Sequence, residues 1–142
     1  MSVARNRRRG VALVEGAVVL FVLLVLLFGM LDLGLLVLDY NTLSEATRRL
    51  ARAAIVHGQM AAPQQTVWGP TTISGTAADG SQYALALKPE LATFNLSNVN
   101  YSLAWPSGSN QPGSQVTVTA TYVYQPIFTY LLGTAPIQLR AE

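Results

Sequence analysis

From Gly16 to Leu31 the chain carries no charged side chain, and the run from Val11 to Leu31 is almost wholly Val, Leu, Ala, Phe and Gly, with Glu15 as the one ionisable residue. A membrane span needs ~20 apolar residues, and residues 11–31 supply them if Glu15 sits near the interface. Asp32 and Asp39 mark the expected exit into water. Beyond them the apolar positions become one-sided. Leu43, Ala46, Thr47, Leu50, Ala53, Ala54 and His57 share one helical face, while Glu45, Arg48, Arg49 and Arg52 take the other. Glu45 stands four residues before Arg49, the favourable order for an ion pair. Gly58 is a natural stop, with Pro63 beyond it. Residues 11–57 therefore predict one helix about 70 Å long, of which roughly half protrudes from a ~30 Å hydrocarbon core.

After Gly58 the pattern changes to Gly, Pro, Ser, Thr and Gln with short alternating runs, which predicts a small β domain over residues 58–142. Thr71–Ser81 reads as a small-residue loop and Tyr83–Leu87 as a strand. Val99–Trp105 and Gln115–Tyr124 are stronger strands. In the second of these, Val116, Val118, Ala120, Tyr122 and Tyr124 share one face, with Thr117, Thr119 and Thr121 opposite. The Pro- and Gly-rich stretch Pro106–Gly113 joins these two as an antiparallel pair, and Pro136–Arg140 supplies a last short strand. So few strands cannot bury both faces alone. The apolar stripe of the protruding helix is the partner the sheet requires, so the fold class is α+β.

Composition changes this picture in two ways. The formal net charge is +2, but Arg5, Arg7, Arg8 and Arg9 all precede Gly10, and the remaining five basic residues face seven acidic ones. The basic character thus belongs to a leader, residues 1–10, which predicts a polar, disordered cytoplasmic segment held inside by the positive-inside rule. It does not predict a nucleic-acid partner. The chain also has no cysteine, so disulfides, thiolate metal sites and thiol catalysis are excluded. A cleaved secretory signal would share the basic start, but the apolar run is long and no Ala-x-Ala site follows it.

Candidate chemistry is sparse. His57, the only histidine, falls at a helix end, where a cation is favoured, and has no companion ligand motif. Asp79-Gly80 reads as a turn. The sequence therefore predicts neither an enzyme nor a bound metal or cofactor. The informative group is at the other end. Four arginines, a small residue at Gly10, and Glu15 alone at the edge of an apolar span form a processing-and-assembly signal. An ionisable residue in such a place usually has a partner or a function. Ala12 and Gly16 form a small-xxx-small pair that permits close helix approach in lipid, and Gly29 and Gly34 flatten the helix farther along. Asp32 and Asp39 read as solvated carboxylates at the outer interface, and Arg48, Arg49 and Arg52 as a solvated helix face.

Three stretches together resemble the TadE-like family of the tight-adherence system, minor pilins or pseudopilins of type IVb character. They are Arg9-Gly10-Val-Ala-Leu-Val-Glu15, Phe28-Gly29-Met-Leu-Asp32-Leu-Gly34, and Asp39-Tyr40-Asn41 through Arg52. The closing run Val116 to Pro126 is also similar to the family's last strand. The resemblance implies a pilin-like fold, cleavage by a membrane-embedded prepilin peptidase after Gly10, and Val11 as the new N-terminus with Glu15 as its fifth residue. Gly16 stands where family members commonly carry an aromatic residue. Implied partners are the peptidase, other pilin or pseudopilin subunits, an inner-membrane assembly platform and the bilayer. The implied location is the bacterial cytoplasmic membrane, with the N-terminus inside and the β domain outside. The alternative is an unprocessed single-pass anchor that presents a small binding domain.

Overall fold

The computed structural model describes residues 3–127, 133 and 135–142. Residues 1–2, 128–132 and 134 therefore lie outside the described residues. The first element, α1, is one continuous helix from Val3 to Val56, 54 residues long. At ~1.5 Å per residue that is about 80 Å. Within it the stretch from Gly10 has an 18-residue window of mean hydropathy 3.0, none of it buried, so it is long and apolar enough to cross a membrane.

The helix differs from expectation at its start. Residues 3–10 continue it and do not form the expected irregular leader. The local reason is that arginine and alanine favour helix and no proline intervenes. Gly10 costs about 1 kcal/mol but sits inside an otherwise favourable run. At the other end α1 closes at Val56, and His57 and Gly58 make the turn.

The β domain is a four-stranded antiparallel meander in the order β1-β2-β3-β4, with β1 at Ile73–Thr76, β2 at Val99–Ala104, β3 at Thr117–Tyr124 and β4 at Ile137–Ala141. The β2–β3 pairing runs from Val99 opposite Tyr122 to Ala104 opposite Thr117, across the loop expected to join them. Two expectations are corrected. The segment read as a strand at Tyr83–Leu87 is a short helix, α2, Gln82–Leu87. Ser81 caps it by accepting from the Ala84 N–H, and the buried positions are Ala84 and Leu87, three apart, which is a helical and not an alternating pattern. The stretch Thr71–Ser81, read as a loop, contains β1. Its small residues pair with β2 from Ile73 opposite Leu103 to Thr76 opposite Asn100.

One face of the sheet packs on α1. Val99, Tyr101, Leu103, Val118, Ala120, Tyr124 and Leu139 are buried from the sheet side, and Leu43, Ala46, Leu50 and Ala54 from the helix side, with Ala84, Leu87 and Leu91 closing the flank. Thr47 lies on the same stripe and satisfies its hydroxyl by donating to the Leu43 carbonyl at 2.8 Å. Of the helix surface charges, Glu45 pairs with Arg48 at 2.8 Å, three residues on, while Arg49 reaches across to Glu90 at 2.6 Å. The expected Glu45–Arg49 pair is thus replaced by two others. These exposed pairs contribute little individually, but the Arg49 contact ties α1 to the segment after α2.

Close approach explains two glycines. A side chain at Gly69, where φ is +80°, would meet the Trp105 ring at 2.7 Å. A side chain at Gly75 would strike the Asp79 carboxylate and the Tyr101 hydroxyl. That gap lets Tyr101 donate to Asp79 at 3.0 Å while sharing a 2.8 Å hydrogen bond with Ser81. The Ser81 N–H also donates to Asp79 at 2.9 Å. The cluster fastens β2, through Tyr101, to the turn and cap that precede α2.

Two predictions test this packing. Leu50 is fully buried at the helix–sheet contact, so Leu50→Ala should lower stability by about 2–5 kcal/mol. Leu50→Asp should cost more, because it buries an unpaired charge. Denaturant unfolding of the detergent-solubilised chain, followed by Trp68 and Trp105 emission, measures both. The second concerns Asp79. Burial alone would raise its pKa, but the hydrogen bonds from Ser81, Tyr101 and Thr76 outweigh it and hold the carboxyl below its ordinary value. A depressed folded-state pKa means stability that is present above ~3.9, the unfolded value, and lost as pH falls through the folded one. Wild type should therefore lose more stability than Asp79→Asn between neutral pH and acid. Parallel acid profiles for the two would remove the cluster's role.

Candidate functional site

Seen from the sheet, α1 carries one continuous stripe. Val25, Gly29, Asp32, Leu36 and Asp39 are buried or half-buried, and Leu43, Ala46 and Leu50 follow at the same alternating spacing of four and three. That spacing keeps one face of a helix turned to one neighbour over many turns. The domain thus covers α1 from about Val25 upward, while the face turned away stays apolar and exposed through Leu35, Val37 and Leu38.

Asp32 is the chemical centre of this stripe. It is 8% exposed, and its carboxylate accepts from the Tyr124 hydroxyl at 2.8 Å and from the Ile127 N–H at 3.0 Å. The Tyr124 hydroxyl also lies 3.3 Å from the Asp32 carbonyl. The expectation of a solvated carboxylate at position 32 is therefore corrected. A buried carboxylate is tolerated only where donors replace water, and the end of β3 delivers them. Asp39, two turns farther up the stripe, is half-buried rather than freely solvated. Below Asp32, an apolar groove of about 520 Å³ opens between Val25, Gly29 and Leu33 on the helix and Tyr124, Pro126 and Ile137 on the domain.

Sequence reasoning missed this clasp, although a signal was present. The stripe through Leu43, Ala46 and Leu50 extends backward in steps of three and four to Asp39, Leu36 and Asp32. Tyr124, at the end of the alternating strand and just before Pro126, was the available donor.

The residues expected at the processing and assembly site lie far down the same helix. Gly10, Val11, Ala12, Glu15 and Gly16 are all helical and exposed. Gly10, Val11, Val14 and Glu15 line one open face, and Val11 and Glu15, four apart, are neighbours on it. A side chain placed at Gly10, Gly16 or Gly34 would meet nothing within 4 Å in this chain. Among the described residues, no part of the domain approaches this end of α1, so Gly10 and Glu15 share one face but stand apart from Asp32.

At the upper end His57 Nδ1 lies 2.8 Å from the Ala53 carbonyl, and its ring stacks on Trp68 at 4.4 Å. The imidazole is a fastener for the helix end. Arg48 and Arg52 remain on the exposed face, and Arg49 is engaged with Glu90. Among the described residues, no three His, Asp or Glu side chains converge in a way that would hold a metal ion.

The clasp can be measured. Tyr124→Phe removes a donor, and Asp32→Ala leaves a buried hydroxyl without its carboxylate acceptor, so each should cost about 1–3 kcal/mol. The two substitutions touch the same bond. The double variant should therefore lose less than the sum of the singles, with a coupling of about 0.5–3 kcal/mol in chemical unfolding. Additive losses would mean that the hydroxyl and the carboxylate act independently.

Comparison with known proteins bears on the helix. Residues 10–52 match the family model described as TadE-like protein. No curated protein and no solved structure matches the chain. The match begins at Gly10, passes through Glu15 and Asp32, and ends within the stripe that carries the sheet. The membrane-type helix is thus similar to TadE-like proteins from Gly10 to Arg52, the family its residues resemble.

Proposed function

We propose that the protein is a minor pilin or pseudopilin subunit of a Tad-type pilus or secretion machine, cut after Gly10 and assembled through its N-terminal helix. The observation that carries this reading is the position of the TadE-like match. It starts at Gly10 and covers a helix whose lower part is exposed and apolar on all sides. Such a surface needs lipid or other helices around it, and both are available to a membrane-stored subunit that later enters a filament.

Cleavage would change the electrostatics of the helix start. In the precursor the Val11 nitrogen is an uncharged peptide group inside α1. Once cut, Val11 carries an ammonium, and the first four N–H groups of the new helix lose their intrahelical acceptors. The positive end of the helix dipole now lies there as well. Glu15, one turn away, is the group that can neutralise this end on a neighbouring subunit. In a poorly solvated zone that attraction is much stronger than in water. Ala12 and Gly16 allow the neighbour to approach closely. The subunit's role is structural, with the prepilin peptidase, other pilins, the assembly platform and the bilayer as partners. The N-terminus lies on the cytoplasmic side.

A second reading has its own support. The helix crosses the Gly10–Val11 bond without a break, as an unprocessed anchor would, and a peptidase would have to unwind it there. N-terminal sequencing from cells that carry the peptidase separates the two. A start at Val11 supports the subunit, and an intact arginine leader supports the anchor. Gly10→Leu should leave uncut precursor in the membrane. Glu15→Gln should still be cut but should fail to crosslink to other pilins, and Glu15→Asp should be intermediate because it keeps charge and loses reach. Equal crosslinking of cleaved wild type and cleaved Glu15→Gln would reduce Glu15 to an interfacial carboxylate.

A further inference from the structure

We infer that the lower end of the β domain, around Ile127 and Ile137, is immersed in the outer leaflet of the bilayer, so that the domain does not stand clear of the membrane. The argument rests on length and on reading α1 as a membrane span. The arginines before Gly10 keep the helix from sliding outward, because that would draw them into the hydrocarbon, so the hydrocarbon region begins near Val11. A ~30 Å core takes ~20 residues of helix, which carries it to about Leu31. The domain, however, already flanks α1 from Val25 upward. Among the described residues, the stretch of α1 free of the domain, residues 11–24, covers only about 21 Å at ~1.5 Å per residue. A full span therefore includes helix turns that the domain touches.

The surface at that level suits lipid. Ile127 is 50% exposed and Ile137 is 42% exposed; Ile137 lines the apolar groove under Asp32, and Ile127 donates its N–H to Asp32, which lines the same groove. The outward face of α1 continues the same apolar surface through Leu33 and Val37 to Tyr40, an aromatic of the kind that settles at headgroup level. The one carboxylate at this depth, Asp32, is turned inward to Tyr124 and Ile127 and not toward lipid. β4 enters at Ile137, paired with Tyr124, and rises to Arg140, which is paired with Thr121 higher on the sheet. Its first residue is thus apolar, and its charged residue stands about 10 Å farther out at ~3.3 Å per residue.

The absence of native cysteine makes the test direct. Single variants Leu23→Cys, Ile127→Cys, Ile137→Cys and Val67→Cys of the full chain are labelled with an environment-sensitive dye. They are reconstituted in phosphatidylethanolamine–phosphatidylglycerol vesicles that contain a shallow nitroxide lipid or are exposed to a water-soluble quencher. All four positions are exposed in the chain, so the labels do not disturb the core, and either isoleucine alone decides the matter. Blue-shifted emission and quenching by the nitroxide lipid at Leu23, Ile127 and Ile137, with water quenching at Val67, is the expected result. Lipid quenching at Leu23 but water quenching at both isoleucines would overturn the inference and leave the span intact. Shielding of the isoleucines from both quenchers that grows with protein-to-lipid ratio would assign the surface to a second copy and also overturn it. Water quenching at Leu23 would remove the span itself and the inference with it.

Discussion

The fold depends on one constraint: a small sheet and a long helix each have a single apolar face that the other must cover. A four-stranded meander cannot bury its inner face by itself. A helix of this length in water would leave its stripe exposed. The alternating three- and four-residue spacing from Val25 to Leu50 meets both needs, because it holds one side of α1 against the sheet for several turns. Everything above Val56 is secondary to that contact. The His57–Trp68 stack, the Arg49–Glu90 pair and the Asp79–Tyr101 clasp each tie a loop or an edge to a core already closed.

The same stripe explains why an acid stands in the middle of an apolar helix. Asp32 occupies a position where a leucine would satisfy the spacing, and a buried carboxylate is costly unless donors surround it. Tyr124 and Ile127 provide them from the end of β3. A leucine there would pack but would not fix direction. The hydrogen bonds set the height at which the last long strand meets the helix, and this gives the domain one register along α1. A polar contact inside an otherwise apolar seam has that use in coiled coils, and the arrangement here has the same form.

The helix, its apolar lower part and the two longest strands were legible in the sequence because each rests on a pattern of one period held for many residues. The stripe Leu43, Ala46, Thr47, Leu50 and Ala54 is buried as its spacing predicts. Shorter elements were not legible for equally definite reasons. Tyr83–Leu87 alternates large and small residues, which looks like a strand. The helix there is decided by the Ser81 cap and by Ala84 and Leu87 packing on α1, neither of which a period of two reveals. β1 has no apolar run at all. It exists because Gly75 leaves room for Tyr101 and Asp79, a tertiary fact. Asp32 was misread because charge after an apolar run suggests water. Only the end of β3, 92 residues later, shows otherwise.

The candidate processing end poses the opposite case, since the sequence pattern there is sharp and the chain's own packing is silent. Gly10, Gly16 and Gly34 each cost a helix about 1 kcal/mol relative to alanine. Each has open space where a side chain would stand. Gly69 and Gly75 differ, because Trp105, Asp79 and Tyr101 forbid a side chain at those sites. Internal packing therefore accounts for Gly69 and Gly75 of the domain and not for Gly10, Gly16 and Gly34 of the helix. A small residue that its own chain does not require is one whose size matters to something outside. At Gly10 that is consistent with a peptidase that must reach the next bond. At Gly16 and Gly34 it is consistent with helices packed side by side in lipid. The division supports a molecule with two independent parts: a domain end held by its own contacts, and a helix end shaped for contacts that other molecules supply.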